Sequence, residues 1–442
     1  MTPTNPRPDF RRQREALLEG LERAGAAAVF TSGREQIRNA DSTFRFRPDS
    51  DFYYLTGFCE PDAVLVLAPL REGEHSILFL RDRDREREIW TGRRLGVEAA
   101  PQALGVDRAA PIDELWNELP ELLLGHRSLV YQTGQEEERD RRMVAAVGKS
   151  LHKKKVGDAA PEAWIHPSRL LHEQRLVKSE EELACMRRAA AITTEAHRAA
   201  MAQAEPGRSE SEIDALLDYT FRRRGGNGPA YTNIVAGGAN ACILHYVEND
   251  ALLRDGDLLL IDAAAEWGYY ATDVTRTFPV GGRFTLDQRA LYDIVLGAQL
   301  AGIAVCAPGA SFISVHETAL RRICEGLVEL GLLEGPVERV IEEEAYRRFY
   351  MHRTGHWLGL DVHDCGDYYV DGASRALAPG MVITVEPGIY VAEDDDTVDE
   401  RWRGIGIRIE DDVLITAEGH EVLTADIPKE VDAVEAACNG GD

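Results

Sequence analysis

Cysteine is scarce and unpatterned: seven residues in 442, with no Cys-x-x-Cys pair. Thiols so scattered and odd in number predict neither a disulfide framework nor a thiolate zinc site. Long apolar runs are missing as well. None approaches the roughly 20 residues that a membrane-spanning helix requires, so no membrane association is expected. The opening Met-Thr-Pro-Thr-Asn-Pro-Arg-Pro lacks a signal peptide's hydrophobic region, which makes the cytoplasm the expected location. Positive charge is in short supply, 50 Lys and Arg against 76 Asp and Glu, for a net charge of −26. Nucleic acids and anionic membranes need the opposite sign, so neither is an expected partner. A tandem repeat of solenoid length is also absent.

What is present is ordinary for a globular protein, with 44% hydrophobic and 29% charged residues. A chain this long exceeds one compact core, and two or three domains are expected. Its first part alternates helical and strand patterns: a helix over 10–24 and strands at Ala27–Phe30, Ala63–Leu67, Ile77–Leu80 and Leu129–Tyr131. That is an α/β reading. The aromatic stretch Asp51–Phe58 reads as core, Lys153-Lys154-Lys155 as a solvated turn, and Pro161–Arg169 as a linker. The expected domains are therefore 1–170, α/β, and 171–442. In the second, Ser179 with Glu182, Ser209 with Glu212 and Thr285 with Gln288 form three capping boxes that open helices. Strands are expected at Leu258–Asp262, Thr272–Phe278, Met381–Glu386 and Ile405–Ile415, which makes this domain α+β.

Carboxylates mark those strands. Asp262 and Asp273 flank a turn near Trp267-Gly268. A two-residue loop there sets them directly opposite each other on one face. At ~4 Å and an effective dielectric of ~20, their repulsion is on the order of 4 kcal/mol. A cation, a shared proton or an intervening Arg would each relieve it. Period-two alternation turns Glu386 away from Ile383 and Val385, and turns Gly404, Gly406, Arg408 and Glu410 away from the isoleucines around them. The small neighbours are expected to leave room for ions and substrate. Between these strands His352, His356 and His363 recur among glycines, and Gly359 is expected to permit close backbone approach. Two aspartates, two glutamates and a histidine make an oxygen-rich donor set that suits Mn²⁺, Co²⁺ or Fe²⁺ and tolerates Zn²⁺. Four carboxylates balance two divalent ions, and a water between the ions becomes acidic enough to ionise to hydroxide. The pattern is that of a two-metal hydrolase.

The order Asp262, Asp273, His356, Glu386, Glu410 is set within Thr-Asp-Val-Thr-Arg-Thr-Phe, His-Trp-Leu-Gly-Leu-Asp-Val-His-Asp, Val-Glu-Pro-Gly-Ile-Tyr and Gly-Ile-Arg-Ile-Glu-Asp-Asp. It resembles the pita-bread dinuclear metallopeptidases and, within them, the bacterial aminopeptidase P family. Arg47–Tyr54 and Glu88–Arg94 resemble that family's N-terminal domain. The resemblance implies a pita-bread catalytic domain in which those five residues hold two divalent ions, Mn²⁺ first, with Co²⁺ or Zn²⁺ as alternatives. It implies that His245 and His363 contact substrate and stabilise the intermediate, that His352 borders the site, and that Arg408 steadies the ligands. Arg408, Tyr368 and Trp90 are further substrate-binding candidates, with packing as the plainer reading of an aromatic side chain.

The implied activity is hydrolysis of the N-terminal Xaa-Pro bond of peptides by a metal-bridging hydroxide. Glu386 would move the proton, with a positively charged His363 and with His245 at the oxyanion. Peptides with proline at the second position are the implied partners, and a homodimer or homotetramer the implied assembly. Prolidase shares every metal ligand but accepts only Xaa-Pro dipeptides; Trp357 after the ligand histidine favours the aminopeptidase. A non-catalytic pita-bread peptide-binding protein is the alternative of another class. Such proteins generally lose ligand residues, and all five are present here.

Overall fold

Asp9 accepts a hydrogen bond from the Arg12 N–H (3.0 Å) and so starts helix Phe10–Ala24, which ends on Gly25 in the left-handed conformation. In the computed structural model, which describes residues 6–155 and 158–441, this helix opens the first of two units, Pro8–Gln174; the second runs from Arg175 onward. The first unit is built on a six-stranded sheet in the order Arg108–Pro111, Ser76–Leu80, Val64–Leu67, Ala26–Thr31, Ser128–Val130, Ala163–Ile165. Ala26–Thr31 pairs antiparallel with Val64–Leu67 and parallel with Ser128–Val130, so the sheet is mixed. Its core gathers Val29, Val66, Phe79, Leu119, Leu129 and Met143. Asp51–Phe58 is core as expected, mostly as the buried helix Ser50–Thr56. The stretch read as a linker is not one: within it Trp164 pairs in parallel with Leu129, at the sheet edge. Three residues without alternation carry no periodic signal to betray a strand.

The second unit is α+β. All three capping boxes form, opening helices Glu180–Gln203, Glu210–Arg223 and Leu286–Ala304. The first two bury Ile192, Ile213, Leu217 and Phe221 against the sheet of Ile234–Gly237, Leu258–Asp262 and Thr275–Pro279. The third, with helix Phe312–Glu329, buries Leu291, Val295, Ile323 and Leu327 against Ile389, Ile405 and Ile407. Two helix pairs thus back two strand systems, and the polar strand residues are left to face inward. This is the pita-bread arrangement. Among the described residues, no helix is long and apolar enough to cross a membrane.

Two strand expectations need correction. The tight turn is Gly268-Tyr269, one residue later than expected, with both residues at positive φ (56° and 64°) as a type I′ loop requires. Moving the loop by one residue shifts the register by two, so Asp262 faces Thr275. Asp273 is therefore Asp262's diagonal neighbour, still on its face. The expected strand Ile405–Ile415 is two strands: Ile405–Arg408 pairs with Gly388–Val391, and Asp411–Thr416 with Val382–Val385. Pro387, which has no N–H for a ladder, interrupts the partner at the same level. In the register that pairs Val385 with Asp411 and Gly388 with Arg408, Glu386 faces Glu410 across the break.

Candidate metal centre and active site

That break matters because regular ladder bonds stop where the carboxylates are needed. The Glu410 N–H reaches the Thr275 carbonyl instead (3.0 Å), and the Glu386 N–H reaches the Thr354 carbonyl (2.7 Å), tying the two strand systems and the histidine segment together. The histidine segment 352–364 runs beside strand Val382–Val385 as an irregular edge, with Trp357 bridged to Ile383. Gly355 makes this possible, since a Cβ there would sit 2.0 Å from the Thr384 carbonyl oxygen. Gly359 likewise closes over Asp364, as its expected close approach required.

A cavity of about 600 Å³ opens over this junction. All five expected metal ligands line it, Asp262, Asp273, His356, Glu386 and Glu410, and so do His245, His352, His363, Tyr368 and Arg408. Trp90 alone of the candidates belongs to the first unit, where it is 88% exposed on helix Arg85–Thr91. The Tyr368 ring stacks on Trp357 (centroids 5.5 Å apart), and its hydroxyl accepts the Trp357 N–H (3.2 Å), so it packs as well as lines. The glycines expected to leave room do something else. Gly406 admits the backbone of segment Gly238–Cys242, since a Cβ would lie 2.3 Å from the Ala241 carbonyl oxygen.

The donor set fits a divalent cation. Asp273, His356 and Glu410 each offer one ligand atom, all within 4.8 Å of one another. His356 donates through Nδ1 to the Trp357 carbonyl (3.0 Å), which leaves Nε2 aimed at Asp273 Oδ2 (3.2 Å) and Glu386 Oε1 (3.8 Å). In the neutral ring that nitrogen is a lone pair facing two carboxylates, a contact that only a proton or a metal makes favourable. Burial works to lower the imidazole's pKa, but Asp273 and then Glu386 carry it up to about 9. Burial, with Asp273 adding to it, pushes Glu386 up to about 7 against the pull of His356. Burial, Asp273 and Glu386 together push Glu410 far above the usual carboxylate range. All three shifts record crowded negative charge in a dry place, which a bound cation neutralises.

Asp262, Asp273 and Glu410 are tied to residues behind them. Arg408 Nη2 (2.6 Å) and the Tyr231 hydroxyl (2.6 Å) donate to the two oxygens of Asp262. The Thr275 hydroxyl donates to Glu410 (2.7 Å) and accepts from Arg408 Nε (3.0 Å). The Asp273 N–H points at the buried Asp412 carboxylate (3.2 Å). Arg408 also donates to the Tyr390 hydroxyl (2.9 Å), whose proton goes to His352 Nε2 (2.9 Å), because His352 Nδ1 donates to the Arg353 carbonyl. Burial, then Arg408, pushes His352 down to about 4, so this histidine is a neutral neighbour of Glu386 at 3.7 Å. Burial and then His356, whose ring lies 4.3 Å away, lower His363. Both causes work against the positive charge expected of this ring. Sequence reasoning missed Tyr231, Thr275, Tyr390 and Asp412 as braces. Thr275, Tyr390 and Asp412 sit inside the motifs already quoted, whereas Tyr231 lies in Pro-Ala-Tyr-Thr-Asn, which has no chemical pattern.

A pita-bread unit that gathers carboxylates and imidazole in a cavity of peptide size defines a metal-dependent hydrolase. More narrowly, the chain belongs to metallopeptidase family M24: the family model matches residues 184–417, and that of the aminopeptidase P N-terminal domain matches residues 10–131. It is 46% identical over 431 residues to the Xaa-Pro aminopeptidase of Escherichia coli (strain K12), covering 97% of each chain. The solved structure of Pseudomonas aeruginosa aminopeptidase PepP superposes with a TM-score of 0.95 at 47% identity, over 99% of both chains. Zinc-substituted Escherichia coli aminopeptidase P in complex with product gives 0.93 at 46% identity, over 98% of both.

Proposed function

We propose that the chain is a Xaa-Pro aminopeptidase, which removes the first residue from peptides that carry proline second. The observation that supports this most is the convergence of all five metal-ligand candidates on one cavity that His245 and His363 also line. In this reading the reaction belongs to 171–442 and the 1–170 domain accompanies it. Asp262, Asp273, His356, Glu386 and Glu410 hold two divalent ions, Mn²⁺ in the first instance and Co²⁺ or Zn²⁺ as alternatives. When bound, such ions act as Lewis acids that acidify water and polarise a carbonyl. Glu386, whose two oxygens lie toward His356 and His352, takes the proton of the attacking water and delivers it to the prolyl nitrogen. His245 and His363, exposed in the cavity, orient the peptide and donate to the tetrahedral oxyanion. Arg408 keeps Asp262 in place, His352 and Tyr368 border the substrate, and Trp90 is a further contact candidate. The proposed setting is cytoplasmic, as a homodimer or homotetramer.

Replacing Asp273 or Glu410 with Ala is expected to abolish metal-dependent cleavage, measured as release of the first residue from an Xaa-Pro-Yaa tripeptide. Near-normal turnover after exhaustive chelation would overturn the reading. The same assay separates the related activity, since cleavage confined to Xaa-Pro dipeptides identifies a prolidase.

A further inference from the structure

Glu210 is a fully buried carboxylate that the chemistry above does not use. It is the first residue of helix Glu210–Arg223, where the unpaired amides of the helix start favour negative charge. Its oxygens accept four hydrogen bonds. Oε1 takes the Gly237 N–H (2.7 Å) and the Asn240 side-chain amide (3.0 Å). Oε2 takes the Tyr246 hydroxyl (2.8 Å) and the Ala251 N–H (2.9 Å). All four donors are uncharged and lie on segment 237–251, whose only regular element past its first residue is the 3-10 turn Gly238–Cys242. The Glu210 N–H adds a bond to the Ala251 carbonyl (2.9 Å). Both ends and the middle of the segment are therefore pinned to one residue. His245 stands next to Tyr246, is exposed in the cavity, and makes no hydrogen bond of its own among the described residues.

We propose that Glu210 is a positioning residue for the reaction: by clamping segment 237–251 it holds His245 at the substrate. The inference rests on the role proposed for His245. A carboxylate is the required chemistry, because only an acceptor with two oxygens satisfies four donors. An amide of the same size turns two hydrogens toward donors and leaves some of them buried and unpaired.

The test is kinetics of Glu210→Gln and Tyr246→Phe on an Xaa-Pro-Yaa tripeptide, each made in the wild-type and in the His245→Ala background, with bound metal measured. Glu210→Gln is expected to lower kcat on the order of tenfold to a hundredfold with metal content unchanged, as displaced catalytic groups do. Tyr246→Phe, which removes one donor of four, is expected to lose less. In the His245→Ala background neither substitution is expected to cost more than about twofold, since coupled residues are not additive. Equal losses in both backgrounds, or full activity of Glu210→Gln, overturn the proposal; should Glu210→Gln fail to fold, Tyr246→Phe decides by the same comparison. Normal turnover of His245→Ala overturns the role of His245 rather than the clamp. Amide hydrogen exchange across 237–251 reads the clamp separately: faster exchange in Glu210→Gln supports it, and unchanged exchange overturns it.

Discussion

At the residue scale, a carboxylate ligates well only if its oxygens are aimed before the ion arrives, and Asp262 shows how that is done. Arg408 and Tyr231 each take one of its oxygens at 2.6 Å, while Arg408 also reaches Thr275 and Tyr390. Arg408→Leu removes all three contacts at once. The expected outcome is a loss of metal affinity of roughly 10- to 100-fold, the usual effect of removing a group that orients a ligand. Calorimetric titration of metal into stripped protein measures it, and an unchanged affinity would refute the role. The ligand types were legible in sequence because four carboxylates among glycines and isoleucines make no sense as core. Their braces were not: a hydroxyl such as Tyr231 gains its meaning only from a neighbour 31 positions away.

At the element scale, the site depends on strands that stop at the right place. The turn Gly268-Tyr269 sets a register in which Asp262 and Asp273 share a face without directly opposing each other, which eases the repulsion expected for a facing pair. The segment around His356 approaches Thr384 so closely that Gly355 has no alternative. Gly355→Ala is expected to push the segment off strand Val382–Val385, at a stability cost of roughly 1–3 kcal/mol for overpacking. Bound metal should fall with it, because His356 and Glu386 both hang on this contact through Thr384 and Thr354. Melting temperature and metal analysis check the two effects, and retention of both would show that the strand yields freely. The helices were the most legible elements, since each capping box is a local signal. The strand break at Glu386 and Glu410 was hidden, because hydrophobic alternation continues across it.

At the scale of the molecule, buried charge away from the cavity links stability to pH. Asp364 lies between Lys178 Nζ (3.1 Å) and Arg175 Nη2 (2.5 Å), anchoring the end of the segment that carries His356 and His363. Burial works to raise its carboxyl, but Arg175 and then Lys178 overcome this and hold it below the ordinary range. A folded-state pKa that is depressed contributes stability that is fully present above the unfolded carboxyl's ~3.9 and is lost as pH falls through the folded value. Asp364→Asn takes the carboxylate from the buried Lys178 ammonium, while Arg175 keeps Asp361 (2.9 Å), and is expected to cost roughly 3–5 kcal/mol near neutral pH. The gap to the wild type should narrow below about pH 4, where the carboxyl of the unfolded wild-type chain takes up a proton while the folded one still resists it. Denaturant melts at pH 7 and pH 3.5 measure this, and a difference independent of pH would contradict the ion pair's contribution.

The sequence by itself determined the donor chemistry, the α/β and α+β character of the two parts, and the starts of the main helices. These follow from side-chain identity and from periodicities that span a few residues. Only the tertiary structure decided the hairpin register, the break that sets Glu386 against Glu410, the neutral state of His352, and the carboxylate of Glu210 beneath the His245 segment. Each of those depends on which distant segment comes to lie within hydrogen-bonding reach, and on how much water its approach excludes.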